Sequence, residues 1–251
     1  MLSPLATGIY TRGGCAAALG LAAGVWVYAS RSPGSRLFGD ALTAPRIPGE
    51  IALTFDDGPN PAWTPRLLDA LAAHNVKATF FLLGSFAQGE PDLVRRIADG
   101  GHLIGNHSWS HPDLSRTSSA QIREELRRTS ETLAQITGAP TRFFRPPFGA
   151  RRPAVFRIAR EFGLQTVLWN AMTPDWREPS AERITAKLVE KIDGLTKSGQ
   201  AVNIVLHDGG HRALSANRGP SITAASALLA QYAATHRFVR LDSWSQGAKG
   251  S

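Results

Sequence analysis

Asp56 and Asp57 follow a short apolar run in residues 51–61, IALTFDDGPNP. The larger apolar residues of this run alternate with smaller ones, and Gly58-Pro59 stops it at once, which predicts a short buried strand. Two like charges at the end of a buried strand repel each other and lose solvation, so a compensating group is expected. Aspartate before Gly-Pro is also ordinary turn chemistry. The pair alone therefore leaves both a turn and a chemical role open.

Two histidines that are four residues apart, His107 and His111, lie in the segment 105–113, GNHSWSHPD. One helical turn would bring both imidazoles to the same side, and a three-residue spacer is a familiar zinc geometry. Two surface histidines would show the same spacing. Asp57 strengthens the metal interpretation because it supplies a third, oxygen ligand. Two neutral imidazoles and one carboxylate leave a divalent metal with net positive charge and open positions.

A second aspartate is useful beside such a metal. Asp56 could remain free to take a proton from an activated water, while Asp57 binds the metal. His207 is the candidate that returns a proton to the leaving group, because imidazole titrates near physiological pH. Asp175 could hold His207 in the right tautomer and raise its pKa. Arg145, which is always charged, could orient Asp56 through a paired hydrogen bond.

Composition limits the remaining classes. The chain has 251 residues, a net charge of +8 and 43% hydrophobic residues, as expected of a globular protein with a full core. Its arginines are scattered, without the dense basic run interleaved with aromatics that a nucleic-acid module would show, so no nucleic-acid partner is expected. The single cysteine, Cys15, excludes an intrachain disulfide and a cysteine-based metal cluster.

The N-terminal residues 1–30 are predicted to be a signal peptide or a membrane anchor. Residues 15–29, CAAALGLAAGVWVYA, are uncharged and mostly apolar, which is the right length for a signal-peptide core and short for a membrane span. Val27-Tyr28-Ala29 loosely resembles a cleavage site, and a buried N-terminal helix is a further alternative. The rest of the chain is expected to be extracytoplasmic, with possible membrane association through this segment. Residues 31–49 are interpreted as a linker.

From residue 50 to residue 242, short apolar runs alternate with helical stretches, and residues 243–251 form a tail. This alternation predicts an α/β domain in which seven parallel strands form a distorted (β/α) barrel that is closed or nearly closed. Helices are expected from Thr64 as N-cap residue, from Ser118 as part of a capping box with Gln121, and elsewhere between the strands. The predicted strands are 51–55, 76–83, 102–106, 141–145, 165–169, 201–207 and 237–241.

The reactive residues follow the carboxyl ends of these strands, and in barrels of parallel strands that rim carries the active site. This placement favours a chemical role over a turn cap for the two aspartates. The residues at the rim are Asp56 and Asp57, His107 and His111, Arg145, Asp175 and Trp176, and His207 and Asp208. No role is predicted for the remaining histidines, which are His74, His102, His211 and His236.

Five ordered motifs resemble those of polysaccharide deacetylases with the NodB homology domain, carbohydrate esterase family 4. They are TFDDGP (54–59), HSWSH (107–111), RPPFG (145–149), DW (175–176) and LHD (206–208). The resemblance covers roughly residues 50 to 242. It implies a distorted (β/α) barrel and the metal-dependent removal of acetyl groups from N-acetylated sugars, with an N-acetylated glycan as the partner.

The resemblance also implies a role for each matching residue. Asp56 would be the general base, and the metal, usually zinc, would be held by Asp57, His107 and His111. Arg145 would position Asp56, the backbone N–H of Phe148 would stabilise the oxyanion, His207 tuned by Asp175 would be the general acid, and Trp176 would wall the acetate pocket. Two departures affect that pocket. Asn170 and Met172 stand where many members carry an acidic residue, and Val205 stands at a position that is often leucine.

Several alternatives remain open at this stage. Two histidines and a carboxylate also form the facial triad of non-haem iron oxygenases. The chain could instead be a degenerate member that only binds glycan, although the predicted base and acid are both present. An O-acetyl esterase acting on acetylated xylan would use the same machinery. Peptidoglycan and chitin oligomers fit equally well as substrates of an N-deacetylase.

Overall fold

A computed structural model describes residues 8–245, and the side chains of residues 20–245. Within this part, the helices are α1 Gly8–Arg31, α2 Thr64–Ala73, α3 Gly84–Gly89, α4 Pro91–Asp99, α5 Ser119–Thr137, α6 Pro153–Glu161, α7 Ala181–Lys197, α8 Gly219–Tyr232 and α9 Asp242–Ser245, with a 3₁₀ turn at Pro147–Gly149. The strands are β1 Glu50–Gly58, β2 Thr79–Leu82, β3 Leu103–Asn106, β4 Phe143–Phe144, β5 Gln165–Thr166, β6 Ala171–Met172, β7 Val202–His207 and β8 Arg237–Phe238.

The strands form one parallel sheet in the order β5-β4-β3-β2-β1-β7-β6, and β8 pairs with the first two residues of β1. β1 lies at the centre and is buried over its whole length, as expected of a parallel strand covered on both faces. The curled α/β sheet confirms the predicted fold class. Strand pairing does not close it into a full barrel in the described part, because β5 and β6 are its two ends and Leu42 pairs beside β5 at Val167.

The predicted strand 165–169 is wrong in its length, and β6 was not predicted. Asn170 lies between β5 and β6. Its side-chain oxygen accepts a hydrogen bond from the backbone N–H of Asn203 at 2.8 Å, and its side-chain nitrogen donates to the carbonyl of Ala201 at 2.9 Å. The side chain thus bonds to the backbone around β7, the strand with which β6 pairs. Between β5 and Asn170, Val167 and Leu168 pair with Leu42, and the chain then joins the other end of the sheet as β6.

Two helix predictions have different outcomes. Ser118 caps α5 as predicted, since its hydroxyl accepts a hydrogen bond from the N–H of Gln121 at 3.3 Å. Thr64 is not the N-cap residue of α2, because Trp63 occupies that position. The Thr64 hydroxyl is used elsewhere: it accepts from the N–H of Asn60 at 2.9 Å and donates to the buried carboxylate of Asp208.

The N-terminal region contacts the sheet domain where α1 ends. The fully buried Arg151 donates to the carbonyls of Ser32 and Ser35, the latter at 3.2 Å, and Arg31 pairs with Asp113 at 2.6 Å. Among the described helices, none combines the length and hydropathy needed to cross a bilayer. Residues 1–7 and 246–251, which belong to the predicted signal or anchor and to the predicted tail, lie outside the described range.

Candidate active site

A cavity of about 470 Å³ opens at the carboxyl ends of β1 and β7. Both aspartates of the first motif line it, together with the two motif histidines and His207. The cavity therefore lies at the edge of the sheet where the sequence places the reactive residues. Its outer wall is formed by Phe148, Trp176 and a loop after β7.

Asp56 and Asp57 reach the same cavity because β1 is irregular at its end. The register between β1 and β2 shifts between Asp56 and Gly58, and Asp57 has a φ of +68° in the left-handed region. Neighbours in a regular strand point to opposite faces, whereas this bulge redirects Asp57 to the side that Asp56 faces. Aspartate tolerates the left-handed region better than most residues because its short side chain can bond locally.

Asp57, His107 and His111 converge on one point. The Asp57 Oδ1 atom lies 3.4 Å from Nε2 of His107 and 3.2 Å from Nε2 of His111, and the three candidate ligand atoms lie within 4.8 Å of one another. Within the described residues, Asp57 Oδ1 is buried without a hydrogen-bond partner. A buried acceptor without a partner is costly, and a divalent cation bound to it would remove that cost. The donor set fits such an ion.

The protonation states also suit a metal. Burial would raise the pKa of Asp57, but its contacts with His107 and His211 hold that pKa well below its usual value. Burial lowers the pKa of His111 to about 3, so its imidazole is neutral at pH 7. The Nδ1 atom of His107 lies 2.8 Å from the carbonyl oxygen of Arg145. Because a carbonyl only accepts, Nδ1 carries the proton and the lone pair of Nε2 faces the cavity.

The two ligand histidines are held by a loop and not by a helical turn, so the helical explanation of their spacing is wrong. Ser108 and His111 both have positive φ, at 70° and 63°. Asn106 accepts from the N–H of Ser108 at 2.8 Å, and Glu125 accepts from the N–H groups of Trp109 and Ser110, each at 2.8 Å. These bonds keep a sharply turned loop in one conformation and bring both imidazoles to the same side.

Asp56 forms a buried ion pair with Arg145. The Nη1 atom of Arg145 lies 2.7 Å from Oδ1 of Asp56 and 2.7 Å from the hydroxyl of Thr54. Arg145 is fully buried, and its guanidinium lies over the ring of Phe81 at 4.2 Å. Burial lowers the pKa of Arg145, while the Asp56 carboxylate opposes that change. The two predicted partners meet, but through one hydrogen bond and not the paired hydrogen bond expected. This bond occupies one Asp56 oxygen, and the other faces the cavity, 3.9 Å from His107.

His207 is paired with Asp175 on the opposite wall. Its Nδ1 atom lies 2.8 Å from Oδ1 of Asp175, whose other oxygen accepts from the His207 N–H at 2.9 Å and from Ser221 at 2.6 Å. Burial alone would lower the pKa of His207, but the carboxylates of Asp175 and, to a smaller extent, of Asp57 and Asp56 raise it to about 9. His207 is therefore charged near neutral pH and can donate a proton.

Three further predicted residues line the cavity. Trp176 meets His207 edge-on, with ring centroids 4.9 Å apart, and is 40% exposed. Phe148 is 49% exposed and places its ring against His111 at 4.4 Å. Val205 is buried and pairs with Met172 across β6 and β7. Eight of the predicted site residues thus line one cavity, and the other two, Arg145 and Asp175, bond to the lining residues Asp56 and His207. Their individual roles stay predictions.

His211 also lines the cavity, although its sequence context predicts no role for it. Its Nδ1 atom lies 3.5 Å from Oδ2 of Asp57, and its ring stacks on His111 with centroids 4.2 Å apart. His102, in contrast, has a structural role, because its Nδ1 accepts from the N–H of Ala78 at 3.1 Å. The sequence signal that was available is the Gly209-Gly210 pair, which allows a close approach of the backbone to the site.

Comparisons with known proteins agree with this site. A family model described as polysaccharide deacetylase matches residues 44–167. A peptidoglycan-N-acetylglucosamine deacetylase of Bacillus cereus is 44% identical over 145 residues, which are 58% of this chain and 53% of that protein. A chitooligosaccharide deacetylase of Bradyrhizobium sp. is 38% identical over 160 residues, which are 63% of this chain and 70% of that protein. The chain spans about half the length of the Bacillus cereus relative and 34% of a Listeria monocytogenes relative, peptidoglycan-N-acetylglucosamine deacetylase PgdA.

Solved structures give the same result over a larger part of the chain. The crystal structure of a peptidoglycan N-acetylglucosamine deacetylase superposes with a TM-score of 0.72 at 36% identity, and the alignment covers 81% of this chain and 91% of that one. A mutant of a CE4 family pseudoenzyme with restored enzymatic activity also has a TM-score of 0.72, at 26% identity, over 81% of this chain and 70% of that one. The extent and identity of these matches, together with the motifs at the cavity, show that the chain belongs to the polysaccharide deacetylase family, carbohydrate esterase family 4.

Proposed function

We propose that this protein is a metal-dependent hydrolase that removes N-acetyl groups from N-acetylated sugars of a polysaccharide. The observation that carries the proposal is the meeting of three functions in one cavity. The cavity is lined by the candidate metal ligands, by the Asp56 carboxylate that Arg145 holds, and by His207. The pKa of His207 is raised, so its imidazole can act as an acid. Family membership alone is a weaker argument, because the same fold occurs in a pseudoenzyme.

Each residue of the site has a proposed role in the hydrolysis. A divalent metal held by Asp57, His107 and His111 would polarise the acetyl carbonyl and lower the pKa of a water molecule. Asp56 takes the proton of the attacking water, and Arg145 holds that carboxylate in place, aimed into the cavity. His207 returns a proton to the departing amine nitrogen. Two neutral imidazoles and a carboxylate are a common zinc set, so zinc is the proposed ion.

The acetyl group is placed by the remaining cavity residues. The backbone N–H of Phe148 is proposed to stabilise the oxyanion that forms when water attacks the carbonyl. Trp176 and the apolar surface of Val205 enclose the methyl group, and the exposed faces of Trp176 and Phe148 offer surfaces for a sugar ring. The Asp175 carboxylate holds the Nδ1 proton of His207, which leaves the opposite ring nitrogen to serve the leaving group.

The substrate is proposed to be peptidoglycan or a chitin-type oligomer, in line with the names of the relatives. The chemistry would also permit an O-acetyl ester such as acetylated xylan. An iron-dependent oxygenase is disfavoured, since it would have no use for the Asp56–Arg145 pair or for a charged His207. A purely glycan-binding role is disfavoured because the proposed base and acid are both present and correctly paired.

Acetate release tests this function directly. We would measure free acetate from N-acetylglucosamine oligomers, purified peptidoglycan and acetylated xylan, with zinc and with chelator. Asp56→Asn is the test variant, and Asp99→Asn, an exposed aspartate on α4, is the matched control. Zinc-dependent release from an N-acetylated glycan that is lost only in Asp56→Asn supports the proposal. Release from xylan alone, or no release at all, would contradict it.

We further propose that the domain acts outside the cytoplasm. The support is the uncharged segment 15–29 and the exposure of its apolar side chains in α1, with Leu21 73% and Val27 60% exposed. The relatives named as peptidoglycan deacetylases agree with this placement. Fusion of residues 1–49 to a reporter enzyme that is active only after export tests the proposal, with the Leu21→Arg/Val25→Arg variant as the control. An inactive wild-type fusion would contradict it.

A further inference from the structure

His211 lies outside the set of proposed ligands but contacts two of them. Its Nδ1 atom is 3.5 Å from Oδ2 of Asp57, the oxygen that does not face the two ligand histidines. Its ring stacks almost parallel to that of His111, with centroids 4.2 Å apart and an angle of 12° between the planes. The side chain is 31% exposed, so it closes one side of the site while reaching solvent.

The backbone that carries His211 packs directly on Asp57. The N–H of Gly209 points to the carbonyl of Asp56 at 3.4 Å, and a Cβ at Gly209 would overlap the carbonyl of Asp57. A glycine is therefore required at this position for the loop to pass so close to the end of β1. The loop then carries His211 across the face of His111. The placement follows from the sequence HDGGH (207–211) and the bulge at Asp57.

The two ligand histidines differ in what holds their rings. His107 has the outer hydrogen bond that ligating histidines almost always have, through Nδ1 to a backbone carbonyl at 2.8 Å. His111 has no such bond within the described residues, because its Nδ1 is buried without a partner. Its ring is held between two aromatic neighbours, the edge contact of Phe148 at 4.4 Å and the stacked His211. The aromatic contacts replace the missing hydrogen bond.

We propose that His211 is a positioning residue of the metal centre. Stacking fixes the plane of the His111 ring, and the Nδ1 atom restrains the outer oxygen of Asp57, so the ligand atoms converge before the metal binds. His211 is not itself assigned as a ligand, because the atoms that come within 4.8 Å of one another belong to Asp57, His107 and His111. This inference rests on the proposed metal-dependent function and adds a residue to it.

The test measures metal affinity and not activity alone. Zinc dissociation constants are determined by chelator competition for the wild type, His211→Ala and His211→Phe, with His236→Ala as the control. His236 lies near Tyr232, away from the cavity. Removal of an outer partner of a metal ligand typically weakens metal binding about 10- to 100-fold, and we expect this loss for His211→Ala. His211→Phe keeps a stacking ring but loses the nitrogen, so a smaller loss is expected.

Three outcomes are decisive. If His211→Ala, folded as judged by its metal-free thermal transition, binds zinc as tightly as His236→Ala, the positioning role is refuted. Cobalt-loaded His211→Ala should keep the absorption bands of the wild type, because the ligands are unchanged. Shifted bands would mean that His211 ligates the metal directly and would overturn the proposal. A wild-type protein that binds no zinc would contradict the proposed function itself, which separates that failure from a failure of His211.

Discussion

Replacement of Arg145 by methionine should destabilise the metal-free protein strongly. Arg145 is fully buried and lies 2.7 Å from Asp56, whose side chain is only 5% exposed. Unit charges about 4 Å apart attract by about 4 kcal/mol at an effective dielectric constant of ~20. Removal of one partner also leaves the other charge buried and uncompensated, and such losses usually amount to ~3–5 kcal/mol. We therefore expect the free energy of unfolding to fall by about 4 kcal/mol.

The measurement is urea and thermal unfolding in the presence of chelator, so that metal binding does not contribute. For a chain of this size, a loss of 1 kcal/mol lowers Tm by roughly 2–4 °C, so Arg145→Met should lower Tm by roughly 10 °C. Arg96→Ala is the matched control. Arg96 pairs with Asp69 at the same 2.7 Å, but the two side chains are 50% and 70% exposed. An exposed pair contributes at most about 1 kcal/mol.

The double variant tests whether the loss of stability in Arg145→Met comes from the unpaired buried charge. Asp56→Asn alone leaves Arg145 buried without its counter-charge, whereas Asp56→Asn combined with Arg145→Met removes both members of the buried pair. The double variant should therefore be more stable than the sum of the two single losses predicts. Additive losses, or an Arg145→Met protein as stable as Arg96→Ala, would refute the reasoning from the buried pair.

Three further predictions concern the rest of the cavity. Burial would lower the pKa of His207 but the carboxylates of Asp175, Asp57 and Asp56 raise it to about 9, so its stabilisation is complete below pH ~6.5 and lost as pH rises through about 9. The unfolding free energies of wild type and His207→Asn should thus converge with rising pH, and a widening gap would contradict this. Zinc at about 100 times its Kd should raise the unfolding free energy by about 2.7 kcal/mol, and addition of chelator should reverse this stabilisation. In thermal unfolding, Asp57→Asn should show no stabilisation by zinc. Arg177 and Arg212 are exposed at the cavity mouth and form no ion pair within the described residues. Their replacement by alanine should lower kcat/KM about two- to fivefold on an anionic peptidoglycan fragment and leave a neutral chitin oligomer unaffected, whereas equal losses on both would count against a charge effect.

The sequence was sufficient to predict seven of the eight strands in their order, and the edge of the sheet at which the reactive residues lie. Both depend on patterns that are local along the chain, such as the apolar run before Asp56 and the cap at Ser118. The boundaries near Asn170 could not be predicted in this way. There the side chain of Asn170 bonds to the backbone N–H of Asn203 in β7, 33 residues further along the chain, and a contact at that separation leaves no local pattern in the sequence.

The identity of the reactive residues could be predicted because the chemistry restricts their types. The backbone conformations that bring them together could not be predicted. The sequence explained the spacing of His107 and His111 by a helical turn, but Ser108 and His111 take left-handed conformations that no periodic pattern predicts. The bulge at Asp57 is similar, since its register shift appears only when β1 is paired with β2. His211 was missed for the same reason. Its position depends on the fit of Gly209 against Asp57, which requires the two ends of the central strands to be side by side.

The departures at Asn170 and Met172 have a physical consequence for the charge of the cavity. Asn170 bonds to the backbone near β7, and Met172 lines the cavity beside Val205, so neither position adds a negative charge. The carboxylates that line the cavity in the described structure are those of Asp56 and Asp57. Arg145 offsets the first, and a divalent metal would offset the second. Because the other charged groups at the mouth include Arg177, Arg212 and Arg218, we expect the protein to prefer an anionic glycan over a neutral one.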